Sequence, residues 1–554
     1  MKSIIKPSIF LACTGFFLIA ILSGCKKQLD INQNPNSAIE SNIEPFLILP
    51  GTLSNTATHV NTGYAFLYRW LGFIATAAGV APSAEEESYN LTTTFGNTAF
   101  NTPLDINSDL QFMENKAQAG GQTFYVGAAR IMKALNFARI VDAYNSIPYS
   151  QALQGLKFIT PKYDDPKAVY EDLVKQIDTG ITLIKGYDYG ANPNIKTADI
   201  MFGSEIPSTN NTAAHKTLWI KFANTLKLRL LIHQSNRMDR QDYIRTEIAK
   251  ILAEGSGFVD AKKTASVNPG YSQAQPNPYY AAYGYTLAGQ TAAGSARANN
   301  NMLNFLKTDA DPRVAYDYKP IVTALPANAA EPIPTLDPKN YRGNDYGLAI
   351  DNSIHKNQTA NYVSRVGGST ANGNAAGAST SNSTGIVKGW DMRSWLITST
   401  ESLFLQAEAI QRGYLAGNGE TAYKNAVLES FVWLNVGASA DSATAQFNKW
   451  YNASAGKAYQ ADVVWTAAPD KLKLIAYQKY LALVPLDAME IWTDYRRNGG
   501  YPVIQLSQNS GRTSQTLPVR LLYTNAELST NLVNVPAVGR LAGSQFTDKI
   551  WWMP

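Results

Sequence analysis

The chain has 554 residues and carries 48 Lys and Arg against 43 Asp and Glu, a formal net charge of +5. That balance excludes the basic footprint of a nucleic-acid-binding protein, and 2 Cys exclude a disulfide-built scaffold. Charged residues make up only 16%, beside 30 Tyr, 20 Phe and 10 Trp. A surface of aromatic and uncharged hydrogen-bonding groups suits neutral polar ligands such as sugars or peptides, although a large core explains most of those aromatics too. The length fits two to four domains or one large repeat-built body.

Lys2 and Lys6 open the chain, and residues 8 to 22 are then almost wholly apolar. Charge followed by a short apolar run is the order of a secretory leader, and the run is short for a membrane span. It ends in "ILSGCKK" (21–27), where Leu22, Ser23 and Gly24 lead into Cys25. This resembles the lipobox of bacterial lipoproteins. The resemblance implies cleavage before Cys25, a thioether from its thiol to diacylglycerol, and a further acyl chain such as palmitate on the new amine. The alternative is a plain cleaved signal followed by an ordinary cysteine. Cys13 leaves with the leader, so the mature chain can form no internal disulfide. The expected organisation is a signal peptide over 1–24, a lipidated polar tether over 25–42 containing "NQNPNS", and one body over 43–554.

Helical periodicity dominates the body. Phe124, Ala128, Ile131, Leu135, Ala138 and Val141 recur every three or four residues, which predicts one apolar face of a helix. A second helix reads from Tyr170 through Leu173, Ile177, Ile181 and Ile184, and a third carries Trp219, Phe222, Ala223, Leu226 and Leu230. Between 255 and 390 the pattern breaks down, and the uncharged "GGSTANGNAAGASTSNSTG" (367–385) predicts a long exposed loop. Helix returns with Leu396, Leu403, Ala407 and Ile410, then a turn at Gly413 and "AGNG" (416–419), then Ala422, Ala426 and Ser430. Small residues at every fourth position let antiparallel helices approach closely, as in tetratricopeptide pairs. The fold class is therefore mainly α, a helix-pair scaffold with long irregular segments.

Catalytic signatures are missing. His59, His215, His233 and His355 are scattered, with no H-x-x-x-H pair or nearby Cys for zinc. "GYSQA" (270–274) is not a nucleophile elbow, and "GQTAAGS" (289–295) has Ser295 where a phosphate loop needs lysine. "EEE" (85–87) fits a catalytic acid or a cation site less well than a solvated acidic loop. The spacing of a glycosidase carboxylate pair is three-dimensional and does not show in a sequence. No metal or cofactor is expected.

Several stretches in order resemble one family, the SusD/RagB-like nutrient-binding outer-membrane lipoproteins. "LDINQNPN" (29–36) follows the lipobox cysteine. "VDAYNSIPYSQAL" (141–153) is similar to the family's D-x-Y-G-D-I-P-Y-S-E-A-L turn, with Asn145 and Ser146 in place of Gly and Asp. "PKYDDPKAVYEDLVKQID" (161–178), "WIKFANTLKLRLLI" (219–232), "DPR" (311–313) and "ITSTESLFLQAEAIQRG" (397–413) follow. "IAYQKYLALVPLDAMEIWTDYRRNGGYP" (475–502), "LPVRLLY" (517–523) and "KIWW" (549–552) complete the series. The resemblance implies a tetratricopeptide-like α-α superhelix whose irregular segments form the ligand face. It implies a SusD/RagB-like nutrient-binding body, lipid-anchored at the outer membrane and exposed on the cell surface. It also implies capture of a glycan or peptide and delivery to a SusC-like TonB-dependent transporter, with no catalysis of its own. A lipid-anchored glycoside hydrolase and a helical-repeat adaptor binding only protein are the alternatives.

Within the shared motifs, Glu490, Asp494, Arg496 and Arg497 are close enough along one helix to pair, and read as structural. Trp492, Trp551 and Trp552 read as packed core or tail. The ligand site is expected in segments outside those motifs: "YAFLYRWLG" (64–72), "NPYYAAYGY" (277–285) and "KGWDMRSW" (388–395). Trp70, Tyr280, Tyr283 and Trp390 are the candidate ligand contacts, because an exposed ring can stack on the apolar face of a pyranose. Core packing is the competing reading for each.

Overall fold

The computed structural model describes residues 42–77, 80, 83–321, 341–348, 363–368 and 383–554. The leader, Cys25, nearly all of the 25–42 tether and most of the 367–385 segment lie outside the described residues, as does His355.

Helices α1 (Pro45–Thr62), α2 (Asn97–Ala119), α3 (Thr123–Tyr144), α4 (Pro166–Gly186), α5 (Ala213–His233) and α6 (Gln241–Glu254) build the first half. Helices α7 (Ser399–Gln411), α8 (Gly419–Trp433), α9 (Ala440–Ser454), α10 (Lys471–Leu483) and α11 (Ala488–Arg497) build the second. Local chemistry sets their ends. Asp165 caps α4 by accepting from the Ala168 amide at 2.9 Å, with Pro166 as the first helical residue. Asn418 caps α8 through the Thr421 amide, after the turn that Gly413 opens at φ +70°. Successive helices pack as antiparallel, tetratricopeptide-like pairs, α2 on α3, α3 on α4, and α7 on α8.

The α4 stripe is buried as expected, from Val169 and Tyr170 through Ile184. Helix α3 differs from its predicted single face: it is buried almost all round, since α2 and α4 cover two of its sides. Helix α5 is similar, and its interior includes Lys227, Arg229 and His233. Those polar groups are matched. Arg229 meets Glu401 at 2.6 Å, and Lys227 meets Asp178 at 2.7 Å and Glu247 at 2.8 Å.

The 490–497 charges are structural, and the expected pairing along the helix holds for Arg497, which meets Asp494 at 2.6 Å, while the others find partners elsewhere. Glu490 and Asp494 share Lys479 at 2.9 and 2.7 Å, and Arg497 forks onto Glu408 at 2.7 and 2.6 Å. Arg496 has no carboxylate partner among the described residues. It lies 3.6 Å from the Trp492 ring centre and 5.0 Å from that of Trp552, and donates to the Asp142 and Val519 carbonyls. Trp492 and Trp552 are fully buried, and Trp551 is half-buried against Tyr170.

The irregular middle contributes short antiparallel pairs. Strand β1 (Ile74–Thr76) pairs with Ala296–Ala298, and Ala265–Val267 pairs with Ser394–Ile397. Arg313 of the "DPR" motif ties this region to the helices. It is fully buried, forks onto Asp311, and donates to Ser430 of α8 and Gln478 of α10. Residues Pro45–Pro554 form one compact unit.

Candidate functional site

The three aromatic segments marked in the sequence converge. Tyr68 lies 6.4 Å from Tyr279 and 6.0 Å from Tyr283, and Tyr279 lies 5.2 Å from Trp395. Asn277 locks the second segment to the third. Its amide donates to the Trp390 carbonyl at 2.7 Å, and its side chain donates to the Met392 carbonyl at 2.9 Å. Asn61 of α1 joins them by donating to the Trp395 carbonyl.

Beside this seam, a cleft of about 680 Å³ opens between α1, the short helix Ala65–Trp70 and α2. Phe66 and Phe95 form its apolar wall. Both rings are half-buried, 5.0 Å apart and edge to face, and Trp70 stacks behind Phe95 at 5.7 Å. Asn55, Thr58, Thr62 and Thr102 supply uncharged hydrogen-bonding groups, and Asp105 and Asp109 lie one turn apart on α2. Burial and then the charge of Asp105 raise the pKa of Asp109 above the ordinary aspartate value. Burial, then the charge of Arg139, holds His59 down at about 3, so its imidazole is neutral in the cleft wall.

Glu86 closes one end. The acidic triplet forms a short helix, Ala84–Ser88, capped by Ser83, rather than a solvated loop. Its middle member pairs with Arg69 at 3.2 Å and accepts from the Tyr346 hydroxyl at 3.3 Å, while Glu87 is buried near Asn509. Burial alone would lower the Arg69 pKa, but the charge and hydrogen bond of Glu86, with Tyr283 and Tyr346, together raise it. The sequence signal for this was present: a Ser N-cap before three acids is a helix start.

Of the four expected ligand aromatics, Trp70 is 0% exposed, and its indole N–H donates to the Glu86 carbonyl. Tyr280 is 2% exposed at the start of the helix Pro278–Tyr283, where Asn277 caps its amide. Neither presents a ring face to solvent. Tyr283 and Trp390 are half-buried and reach the surface. Phe66 lies within the expected segment 64–72 without being one of the four, and Phe95 lies outside all three segments because a single phenylalanine carries no distinguishing pattern.

Two other cavities have different character. One of about 460 Å³ lies among α2, α3 and α4, and its Glu114 is already neutralised by Arg130 at 2.8 Å and Lys133 at 2.5 Å. Another of about 360 Å³ takes Lys388, Asp391, Arg393 and Trp395 from the "KGWDMRSW" segment, but not Trp390. His215 and His233 are tied to Asp199 and Glu490 in separate buried networks. Among the described residues no His, Cys, Asp or Glu group could hold a metal, and no helix is long and apolar enough to cross a membrane.

Residues 38–524 match the SusD-like family described as "Starch-binding associating with outer membrane". No curated protein matches the chain significantly. Among solved structures, a SusD homologue from Bacteroides fragilis is similar at a TM-score of 0.67 and 21% identity, covering 92% of this chain and 100% of that one. An outer membrane protein of Bacteroides vulgatus, named for nutrient binding, gives 0.68 at 20% identity over 92% and 100%. A chitin-binding SusD homologue from Flavobacterium johnsoniae gives 0.63 at 20% identity over 92% and 97%. At these identities the likeness to solved structures is one of fold, and it agrees with the mainly helical, paired scaffold. With the family match spanning most of its length, the chain belongs to the SusD-like family.

Proposed function

We propose that this protein is a nutrient-binding lipoprotein of the outer membrane. It captures an oligosaccharide at the Phe66–Phe95 cleft and delivers it to a SusC-like TonB-dependent transporter. The observation that carries the reading is the composition of that cleft. Two half-exposed rings offer stacking surface, and a rim of threonine, asparagine and aspartate offers hydrogen bonds to sugar hydroxyls. Tyr283, on the neighbouring seam, extends the aromatic surface. The family description and the chitin-binding relative favour a glycan over a peptide. Binding without cleavage is favoured by the cleft's carboxylates. Glu86 is committed to Arg69, and Asp105 and Asp109 lie on one helix rather than on two sides of a glycosidic bond.

Calorimetric titration with starch- and chitin-derived oligosaccharides tests this directly. Saturable binding is expected, with no product after prolonged incubation. Phe66→Ala should weaken binding about tenfold or more, since a stacking face is lost. Product formation would establish a hydrolase instead, and a Phe66→Ala variant that binds like the parent would move the site elsewhere.

A further inference from the structure

A second feature lies on the strand pair that follows the cleft's Phe66–Arg69 wall. Strand β1 pairs with Ala296–Ala298, and Arg297 sits opposite Ala75 on one side and Arg365 on the other. Directly opposed residues of an antiparallel pair project to the same face, and like charges there repel. Neither arginine has a carboxylate within ion-pair distance among the described residues. Arg297 is 3% exposed and donates one N–H to the Ala296 carbonyl, while its Nε and the Nε of Arg365 find no acceptor. Arg365 is half-buried, 5.5 Å from the Tyr285 ring centre. Lys319 donates to the Tyr285 hydroxyl at 2.8 Å.

Such an arrangement is costly. A guanidinium removed from water needs a counter-charge or a full set of acceptors, and here a second guanidinium stands where a carboxylate would be expected. Burial, and next the charge of Arg365, pushes the Arg297 pKa down to about 10. Burial would raise the Tyr285 pKa, but Lys319 and Arg365 overcome it and bring it below the ordinary phenol value. Both shifts report a positive local potential. An anion with planar or tetrahedral oxygens would satisfy the orphaned N–H groups and remove the repulsion together.

We propose that the Arg297–Arg365 cross-strand pair, with Tyr285 beside it, is an anion-binding subsite that takes the carboxylate or sulfate group of an acidic oligosaccharide. This rests on the glycan-binding reading above and narrows it. Tyr285 supplies a ring beside the charge.

The test is calorimetric titration of the full chain with three series of matched length: uronate oligosaccharides, sulfated oligosaccharides, and neutral maltose or chitin oligomers. One acidic series should bind at least about tenfold tighter than the neutral ones at low salt, and lose that margin as salt rises. Arg365→Gln should abolish the margin, a loss of about tenfold or more, and leave neutral binding unchanged. Arg365→Lys should retain part of it. Because the substitution removes a like-charged neighbour of Arg297, the melting temperature of Arg365→Gln should not fall. Response to uronates alone assigns a carboxylate, and response to sulfated sugars alone assigns a sulfate. Neutral binding with no acidic preference overturns the subsite but leaves the glycan-binding reading standing. An acidic preference that survives Arg365→Gln also overturns the subsite, and no binding in any series overturns both.

Discussion

Asp309 shows how a single buried carboxyl couples this fold to pH. It is 1% exposed, and the Tyr477 hydroxyl donates to its Oδ2 at 2.7 Å. Burial pushes its pKa up to about 7; the Tyr477 hydrogen bond opposes that, and Asp311 and Asp462 add to it. The folded state therefore holds a proton that the unfolded chain gives up near the ordinary value. Between those two pKa values the folded protein binds more protons, so stability falls as pH rises from about 4 towards 7. Asp309→Asn keeps an acceptor for Tyr477 and removes the proton. Relative to the parent, it should gain stability by a few kcal/mol between about pH 4 and pH 8, as read from urea midpoints. A parent–variant difference that stays flat with pH would refute the assignment. Single residues were legible where chemistry forced them. Asn145, standing where the family turn has glycine, adopts φ +74°, and its side chain also accepts from the Trp551 amide. Arg496 was not legible, because nothing in its spacing distinguishes an ion pair from a guanidinium lying between two indoles.

At the scale of elements, the α3–α4 contact is set by two glycines. A Cβ on Gly180 would meet Ile131 Cγ1 at 2.7 Å and the Gly127 carbonyl at 3.0 Å, and one on Gly127 would meet Ile184 Cγ1 at 2.8 Å. Alanine is a better helix former than glycine by about 1 kcal/mol, but overpacking a close crossing costs roughly 1–3 kcal/mol. Gly180→Ala should therefore be destabilising by up to about 2 kcal/mol on denaturant unfolding. Gly186→Ala, where nothing lies within 4 Å, is the control and should not lower stability. The helices themselves were readable because apolar side chains recur with the helical period, as in α4. The all-round burial of α3 was not, since a hydrophobic pattern identifies a buried face but not how many neighbours share it. Nor was the cleft. Its lining all falls between Asn55 and Asp109, but the meeting of Phe66, Phe95 and α2 depends on how neighbouring helices turn back on one another, and only the aromatic segment 64–72 left a local mark.

For the molecule as a whole, the proposed anchor and partner can be tested together. A lipid on Cys25 would keep the body beside its transporter at high effective concentration. Mild-detergent pull-down of tagged protein at native expression should recover a much larger barrel. Cys25→Ala should lose both the barrel and palmitate labelling, and move to the periplasm or medium. Retention of the variant in the outer-membrane fraction with label would refute the anchor, and recovery of the parent alone would refute the complex. The long-range ties of α3 bear on how such a protein is made. Arg139 is neutralised by Asp487, 348 positions later, and Asp142 receives the indole N–H of Trp552, 410 positions later. A ribosome adding roughly 5–20 residues per second needs about 20–70 s to supply the first of these partners. Until then, full compaction around α3 would strand a bare guanidinium away from water, which disfavours early closure of the emerging chain. For a chain that the proposed leader would export, delayed closure is what a narrow secretion channel would need to thread it.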